Sequence, residues 1–416
     1  MLGAFLTVLS KIKAVTTLIL ALVLGFANVE PIRAAQLGVV ASDAKIVGGE
    51  DVTDFSLRLS EGVTVEVFTL ANPYRVILDM PDVSFKLPKS AGRKGEGLVK
   101  AYRYGLFAAR KARIVIDTLS PVSIEQAVMD PAGGKAVKLK LRLKAIDEES
   151  FGSGTGAGLA SSHRASTSAA TIRPKSSRPG YRPVIVIDPG HGGIDPGTIG
   201  PNNIYEKDVV LQVGQALRAE LVGRGGFDVK MTRTDDVFVQ LDSRLAFSQE
   251  KDADLFISLH ADAIADKRYV SKVRGATVYT LSERASDEAA RKAAEKENSA
   301  DAIAGLPITG DDGVGEVRDI LIDLVKRETA NFSADFSNIL VDRLGQKIRL
   351  SSKPRRAAAF KVLRQTGTPS VLVELGYLSN REDEKSLTSP AWHKKTAQSI
   401  TRAIESYFAR RTALSK

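Results

Sequence analysis

The apolar positions of this chain follow two different periods. Between Asp43 and Ile146 they alternate with polar ones, as in Val63-Thr64-Val65-Glu66-Val67-Phe68, Tyr74-Arg75-Val76-Ile77-Leu78-Asp79, Arg113-Ile114-Val115-Ile116-Asp117 and Val137-Lys138-Leu139-Lys140-Leu141-Arg142-Leu143. A side chain changes face at every residue of a strand, so alternation predicts strands with one face buried. Asn72-Pro73, Asp82 and Gly133-Gly134 supply turns between them. Short strands with no helical periodicity predict a small all-β sandwich over residues 42–147.

From Pro183 onward the texture changes. Val184-Ile185-Val186-Ile187 is a continuous apolar run, which predicts a strand buried on both faces. Val209, Val210, Val213, Leu217 and Leu221 recur at helical spacing, so a helix is expected after Asp208. Further strands are predicted at Phe227–Thr232, Ala253–Leu259, Thr277–Leu281 and Ser370–Glu374. Helices are predicted at Leu241–Glu250 and from Ser389 to about Arg410, with Pro390 in the first turn. Strands alternating with helices predict an α/β domain over 183–416, with a mostly parallel or mixed sheet flanked by helices.

One stretch, at about 284–327, reads as an insertion. Ser286–Asn298 is rich in Ala, Glu and Lys and has high helix propensity, but its apolar face is little more than alanine. Val314, Val317, Ile320, Leu321, Leu324 and Val325 form a second, amphipathic stripe ahead of a helix expected near Thr329.

Two segments stand outside the folded parts. Residues 1–35 read as a secretory signal peptide: Lys11 and Lys13 precede the apolar run Ala14–Ala27, and Ala34-Ala35 offers a cleavage point. The run is short for a membrane span, and no Arg-Arg pair precedes it, so the general secretory route and a periplasmic address are expected. An uncleaved anchor is the alternative. Residues 148–182 are rich in Ser, Gly, Ala and Thr, too poor in apolar surface to order themselves, and predict a flexible tether.

Composition narrows the chemistry. The formal net charge of +10 suits a polyanionic partner such as a bacterial wall. No stripe of Lys and Arg interleaved with aromatics is visible, so nucleic acid is not an expected partner. With no cysteine, disulfides, thiolate metal sites and a cysteine nucleophile are excluded. Four histidines remain, His163, His191, His260 and His393. His163 lies in the tether, and His393, after Trp392, is expected at the surface or in packing.

Asp188, His260 and Glu374 each end a predicted buried strand, and His191 follows Asp188 in the loop Asp188-Pro189-Gly190-His191-Gly192-Gly193. The C-terminal ends of strands are where open α/β sheets place their sites. Taken singly, each residue has a plainer reading: the glycine loop could cradle phosphate, a histidine at a strand end could be structural, Glu206 could be a solvated charge, and Glu374 could be half of an ion pair. Together, two histidines and a glutamate are enough to bind zinc and leave one position for water. A further glutamate beside that position suits a general base. Residues and spacing alone reach a zinc hydrolase.

These stretches, with Tyr205-Glu206-Lys207-Asp208, Ile257-Ser258-Leu259-His260-Ala261-Asp262 and Val371-Leu372-Val373-Glu374-Leu375-Gly376-Tyr377, resemble the zinc-dependent N-acetylmuramoyl-L-alanine amidases of cell division. The resemblance runs from about Pro183 to the C-terminus. The phrases Tyr74–Asp79 and Ala112–Asp117 resemble the AMIN domain, which precedes the catalytic domain in many such amidases.

The resemblance implies His191, Glu206 and His260 as zinc ligands and Glu374 as the catalytic carboxylate, cutting the amide between N-acetylmuramic acid and L-alanine of peptidoglycan. It makes Asp188, Asp195 and Asp262 candidates to orient the imidazoles. Arg233 and Arg244 match basic positions of the family, with structural ion pairs as the favoured reading. Glu295-Lys296-Glu297-Asn298-Ser299-Ala300-Asp301 resembles a regulatory insertion whose glutamate plugs the metal; Glu297 is the first choice and Glu295 the second. A LytM-type protein is the activator this implies. The chain is expected to be a monomer. The competing readings are a zinc peptidase cutting elsewhere in the stem peptide and a catalytically degenerate wall-binding adaptor.

Overall fold

A computed structural model describes residues 38–71, 73–148, 151, 180–263, 273–306, 320–365 and 367–414. The expected signal peptide, nearly all of the expected tether with His163, and Val314 and Val317 lie outside the described residues.

The N-terminal part is built of strands alone. These are β1 (Val39–Gly48), β2 (Val52–Leu59), β3 (Glu66–Leu70), β4 (Arg75–Pro81), β5 (Val83–Phe85), β6 (Val99–Ala108), β7 (Lys111–Thr118), β8 (Val122–Pro131) and β9 (Val137–Ala145). They form a five-stranded sheet, β5-β1-β2-β9-β8, and a four-stranded sheet, β3-β4-β7-β6. Alternation decides what lies between them. Phe55, Leu57, Leu59, Leu139, Leu141 and Leu143 from the first sheet meet Val76, Leu78, Met80, Ala112, Ile114 and Ile116 from the second in one core. The predicted sandwich is therefore present, with β1, β2, β5, β6 and β8 completing it.

The remaining elements are β10 (Val184–Pro189), α1 (Glu206–Arg224), β11 (Asp228–Met231), α2 (Leu241–Glu250), β12 (Leu255–His260), β13 (Ala276–Leu281), α3 (Glu288–Asn298), α4 (Ala300–Ile303), α5 (Ile320–Gly345), β14 (Leu350–Ala358), β15 (Ser370–Glu374), α6 (Arg381–Leu387) and α7 (Pro390–Leu414). The strands form one mixed sheet in the order β11-β10-β12-β15-β13-β14. Only β13 against β15 is antiparallel. The continuous apolar runs split by parity across it. Ile185, Ile187, Leu255, Ile257, Leu259, Val371 and Val373 face a core shared with α1, α5 and α7. Val186, Phe256 and Leu372 face the other way, toward Ala290 and Ala294 of α3 and Phe360. Burying each such side chain stabilises the fold by roughly 1.5–3 kcal/mol.

Three boundaries differ from the sequence reading. Helix α1 begins at Glu206, three residues before the expected start. The residues from Ile320 belong to the long α5 rather than to a separate insertion helix ending before Thr329. Thr329 lies within that helix, its hydroxyl donating to the Val325 carbonyl at 2.8 Å, so nothing interrupts the turn there. Strand β14 was not anticipated: its Lys353-Pro354-Arg355-Arg356 centre hides the apolar pattern. Among the described residues no helix is long and apolar enough to cross a membrane.

Candidate metal centre

Strand parity brings the site together. His260 shares a face of β12 with Phe256 and Ser258, and Glu374 shares the matching face of β15 with Leu372. The two are paired in register at the C-terminal ends of parallel neighbours. His191 follows the end of β10 in the left-handed region, with φ 57°. That conformation costs a non-glycine residue about 1 kcal/mol or more and turns its side chain inward. The adjacent Gly190 has no room for a side chain, since a Cβ there would stand 2.4 Å from the His260 ring.

The ring atoms converge on two carboxylates. His191 Nε2 lies 3.2 Å from Glu206 Oε1 and 3.3 Å from Glu297 Oε2. His260 Nδ1 lies 3.4 Å from Glu206 Oε1 and 3.0 Å from Glu297 Oε2. All four residues are buried. Yet His191 Nε2 and His260 Nδ1 make no hydrogen bond of acceptable geometry. Two ligands on a tetrahedral zinc, each ~2.1 Å from it, stand about 3.4 Å apart. Four ring-to-carboxylate spacings close to that length, with both ring nitrogens otherwise orphaned, fit a metal held by His191, Glu206 and His260.

Each donor is aimed by something behind it. Asp195 Oδ2 lies 2.8 Å from His191 Nδ1, which fixes the tautomer that presents Nε2. Glu206 accepts the Ala261 N–H on Oε1 and the Thr198 N–H on Oε2, both at 2.8 Å. Of the three aspartates named from the sequence, only Asp195 orients an imidazole. Asp188 instead pairs with Arg244 at 2.6 Å and accepts from Thr232 and Ser258. Asp262 accepts from Thr198 and Lys296, because its side chain faces α3 rather than a ring. Arg244 is the structural ion pair expected, whereas Arg233 clamps the loop by donating to the carbonyls of Pro189, Gly190 and Lys207. His393 is buried and packs against the Leu387 carbonyl at 2.6 Å.

Glu374 is fully enclosed. Its Oε2 accepts the Asp262 N–H at 3.0 Å, and its Oε1 has no hydrogen-bond partner. Burial, reinforced by Asp262 and Glu206, raises its pKa well above the usual carboxylate value, against the opposing pull of His260.

The segment that carries Glu297 is anchored at three consecutive residues. Lys296 donates to Asp262 and to Thr198 Oγ1, Glu297 reaches both rings, and Asn298 bonds the backbone of Ala359 and Lys361. Glu295 is exposed and pairs with Arg291 on the solvent side of α3. Lys296 was missed in the sequence: one charge among many on an Ala/Glu/Lys helix carries no signal that it turns inward.

Residues 185–406 match the family described as N-acetylmuramoyl-L-alanine amidase, and residues 44–141 match the AMIN domain. Over 378 residues the chain is 32% identical to the N-acetylmuramoyl-L-alanine amidase AmiC of Neisseria meningitidis serogroup B, covering 88% of this chain and 89% of that protein. It is 36% identical over 257 residues to AmiA of Escherichia coli K12, covering 62% of this chain and 86% of that protein. Among solved structures, AmiC2 of Nostoc punctiforme is 27% identical, covers 55% of this chain and 97% of its own, and superposes with a TM-score of 0.39.

Proposed function

The chain belongs to the N-acetylmuramoyl-L-alanine amidases, and we propose that it is a periplasmic zinc enzyme which is closed at rest by its own Glu297. Its substrate is peptidoglycan, and the bond cut joins the lactyl carbonyl of N-acetylmuramic acid to the nitrogen of L-alanine. The biological role is daughter-cell separation and wall turnover. The signal segment over 1–35 directs export, the AMIN domain over 42–147 targets the wall, 148–182 connects it, and 183–416 carries the chemistry. A LytM-type partner that engages the insertion at about 284–327 releases the plug.

The observation that carries this reading is the convergence of His191 Nε2 and His260 Nδ1 on Glu206 and Glu297 at ring-to-carboxylate distances of 3.0–3.4 Å, with the two ring nitrogens otherwise unbonded. Zinc, when bound there, supplies Lewis acidity that polarises a carbonyl and acidifies water. The protein does the rest. Asp195 keeps the His191 tautomer, and the Ala261 and Thr198 amides hold the Glu206 carboxylate still. Glu374, pinned through one oxygen by the Asp262 amide, takes a proton from the attacking water on its free Oε1. It then delivers that proton to the alanine nitrogen as the C–N bond breaks, leaving a carboxylic acid and a free amine. A raised pKa suits a group that must both accept and release a proton.

Sacculi digested with the activated enzyme should release stem peptides that begin with intact L-alanine. Mass spectrometry finding only cuts inside the stem peptide would assign a peptidase instead, and no products from an activated chain would point to an adaptor. Zinc measured by elemental analysis should be stoichiometric in the wild type and lost in His191→Ala and His260→Ala. Full zinc in both variants would remove the site.

A further inference from the structure

The two arginine phrases of the N-terminal domain do something the proposed chemistry does not use. Parity in β4 sends Val76, Leu78 and Met80 into the sandwich and Arg75, Ile77 and Asp79 to its outer face. In β7 the outward set is Arg113, Val115 and Asp117. An outer face of a sandwich normally meets water, yet Arg75, Ile77 and Val115 are 0% exposed and Arg113 and Asp79 are 4% exposed. What covers them is the chain just after the plug, together with Ile194 and Phe238. Ala304 and Leu306 sit on Ile77 and Val115.

Three guanidinium groups then take up the carbonyls at the end of α4. Arg75 donates to Ala302 and, at 3.4 Å, to Leu306. Arg103 donates to Ile303 at 2.6 Å, and Arg113 donates to Ala304 at 3.0 Å and Gly305 at 3.1 Å. A helix end leaves its last carbonyls unpaired and partly negative, so cations are the matching partners. The guanidiniums are themselves fixed: Asp79 holds Arg113 through two bonds of 2.5 and 2.7 Å, and Asp117 holds Arg103 at 2.5 and 2.9 Å. Gly305 lies against Ile77 and Val115 so closely that a Cβ would stand 2.6 and 3.0 Å from them.

We propose that the outer face of the β3-β4-β7-β6 sheet is a clamp on the inhibitory segment, holding Ala302–Leu306 so that Glu297, five residues upstream of Ala302, stays in the metal site. This inference rests on the reading of Glu297 as a plug. It makes the N-terminal domain a regulator of the centre as well as a wall-targeting module. Coupling of this kind is reciprocal: whatever lifts the sheet from the segment loosens the plug, and whatever withdraws the plug loosens the sheet.

Hydrogen exchange followed by mass spectrometry on the zinc-loaded full chain tests the clamp apart from activity. Two variants attack it from opposite sides, Arg103→Gln on the sheet and Gly305→Val on the segment. Both should speed exchange over 300–306 by about tenfold, the size expected from loss of one or two hydrogen bonds, while strand β12 stays protected. Both should also raise basal release from sacculi, as Glu297→Ala does. Unchanged exchange in Arg103→Gln and Gly305→Val overturns the clamp. Faster exchange with unchanged release overturns its coupling to the plug, provided Glu297→Ala is active. If Glu297→Ala itself gains nothing, the plug reading fails and the proposal falls with it, whatever the exchange shows. Should Gly305→Val disrupt the sandwich, Arg103→Gln decides alone, because that side chain is at the edge of the contact and is 22% exposed.

Discussion

Glu374→Ala is expected to keep its zinc and to lose peptidoglycan hydrolysis by about 10²–10⁴-fold, the span that general acid–base catalysis covers. The side chain is not among the atoms that converge on the metal site, so removing it leaves His191, Glu206 and His260 in place. It does remove the one buried carboxylate oxygen at these strand ends that has no hydrogen bond and could accept a proton. Glu374→Gln keeps the shape and the contact with the Asp262 amide while abolishing the base, so it should be as inactive as the alanine variant. Steady-state release of peptide from sacculi, read beside zinc content, measures both. Turnover near the wild-type rate in either variant would show that Glu374 is not the base.

Glu297→Ala should raise the basal activity of the purified chain by about 10–100-fold, as expected if the plugged form leaves only about 1–10% of molecules open. In the proposed closed state, its charged carboxylate, buried 3.0–3.3 Å from two imidazoles, occupies the position that substrate and water need. The sequence suggested a helix held loosely by alanines. The structure adds polar anchors on both sides, Lys296 on Asp262 and Thr198, and Asn298 on Ala359 and Lys361. The proposed closed state is therefore held more firmly than the alanine face alone implies, and the proposed activator would have to break these contacts as well. Glu295→Ala removes only an exposed pair with Arg291 and should leave basal activity as it is.

Much of the candidate metal centre is legible in the chain because His260 and Glu374 end buried strands, and continuous apolar runs such as Leu255–Leu259 mark those strands without help from tertiary contacts. Parity then says that His260 and Glu374 share a face once their strands are neighbours. The neighbour relation itself, β12 beside β15 across more than a hundred residues of chain, comes from the structure, because periodicity sets no strand order. Glu206 was found by its phrase, but its helix was started too late: the apolar stripe begins at Val209, and nothing in that stripe marks the first turn. Asp188 and Asp262 were misassigned because a carboxylate near a histidine in sequence has many partners in space, and Arg244 and Lys296 claimed these two. The contact between the sandwich and the segment after the plug left no trace at all. Alternation in β4 and β7 predicts which residues face outward, and Arg75 or Asp79 on an outer face reads as solvated until another part of the chain covers it.

In the proposed resting state four protein ligands close the centre. Diffraction from crystals of the zinc-loaded full chain, recorded on both sides of the zinc absorption edge, should show one anomalous peak bounded by His191 Nε2, His260 Nδ1, an oxygen of Glu206 and an oxygen of Glu297, each about 2.0–2.2 Å away. A peak at other residues, or a wild-type centre in which water takes the fourth position while Glu297 stands apart, would contradict it.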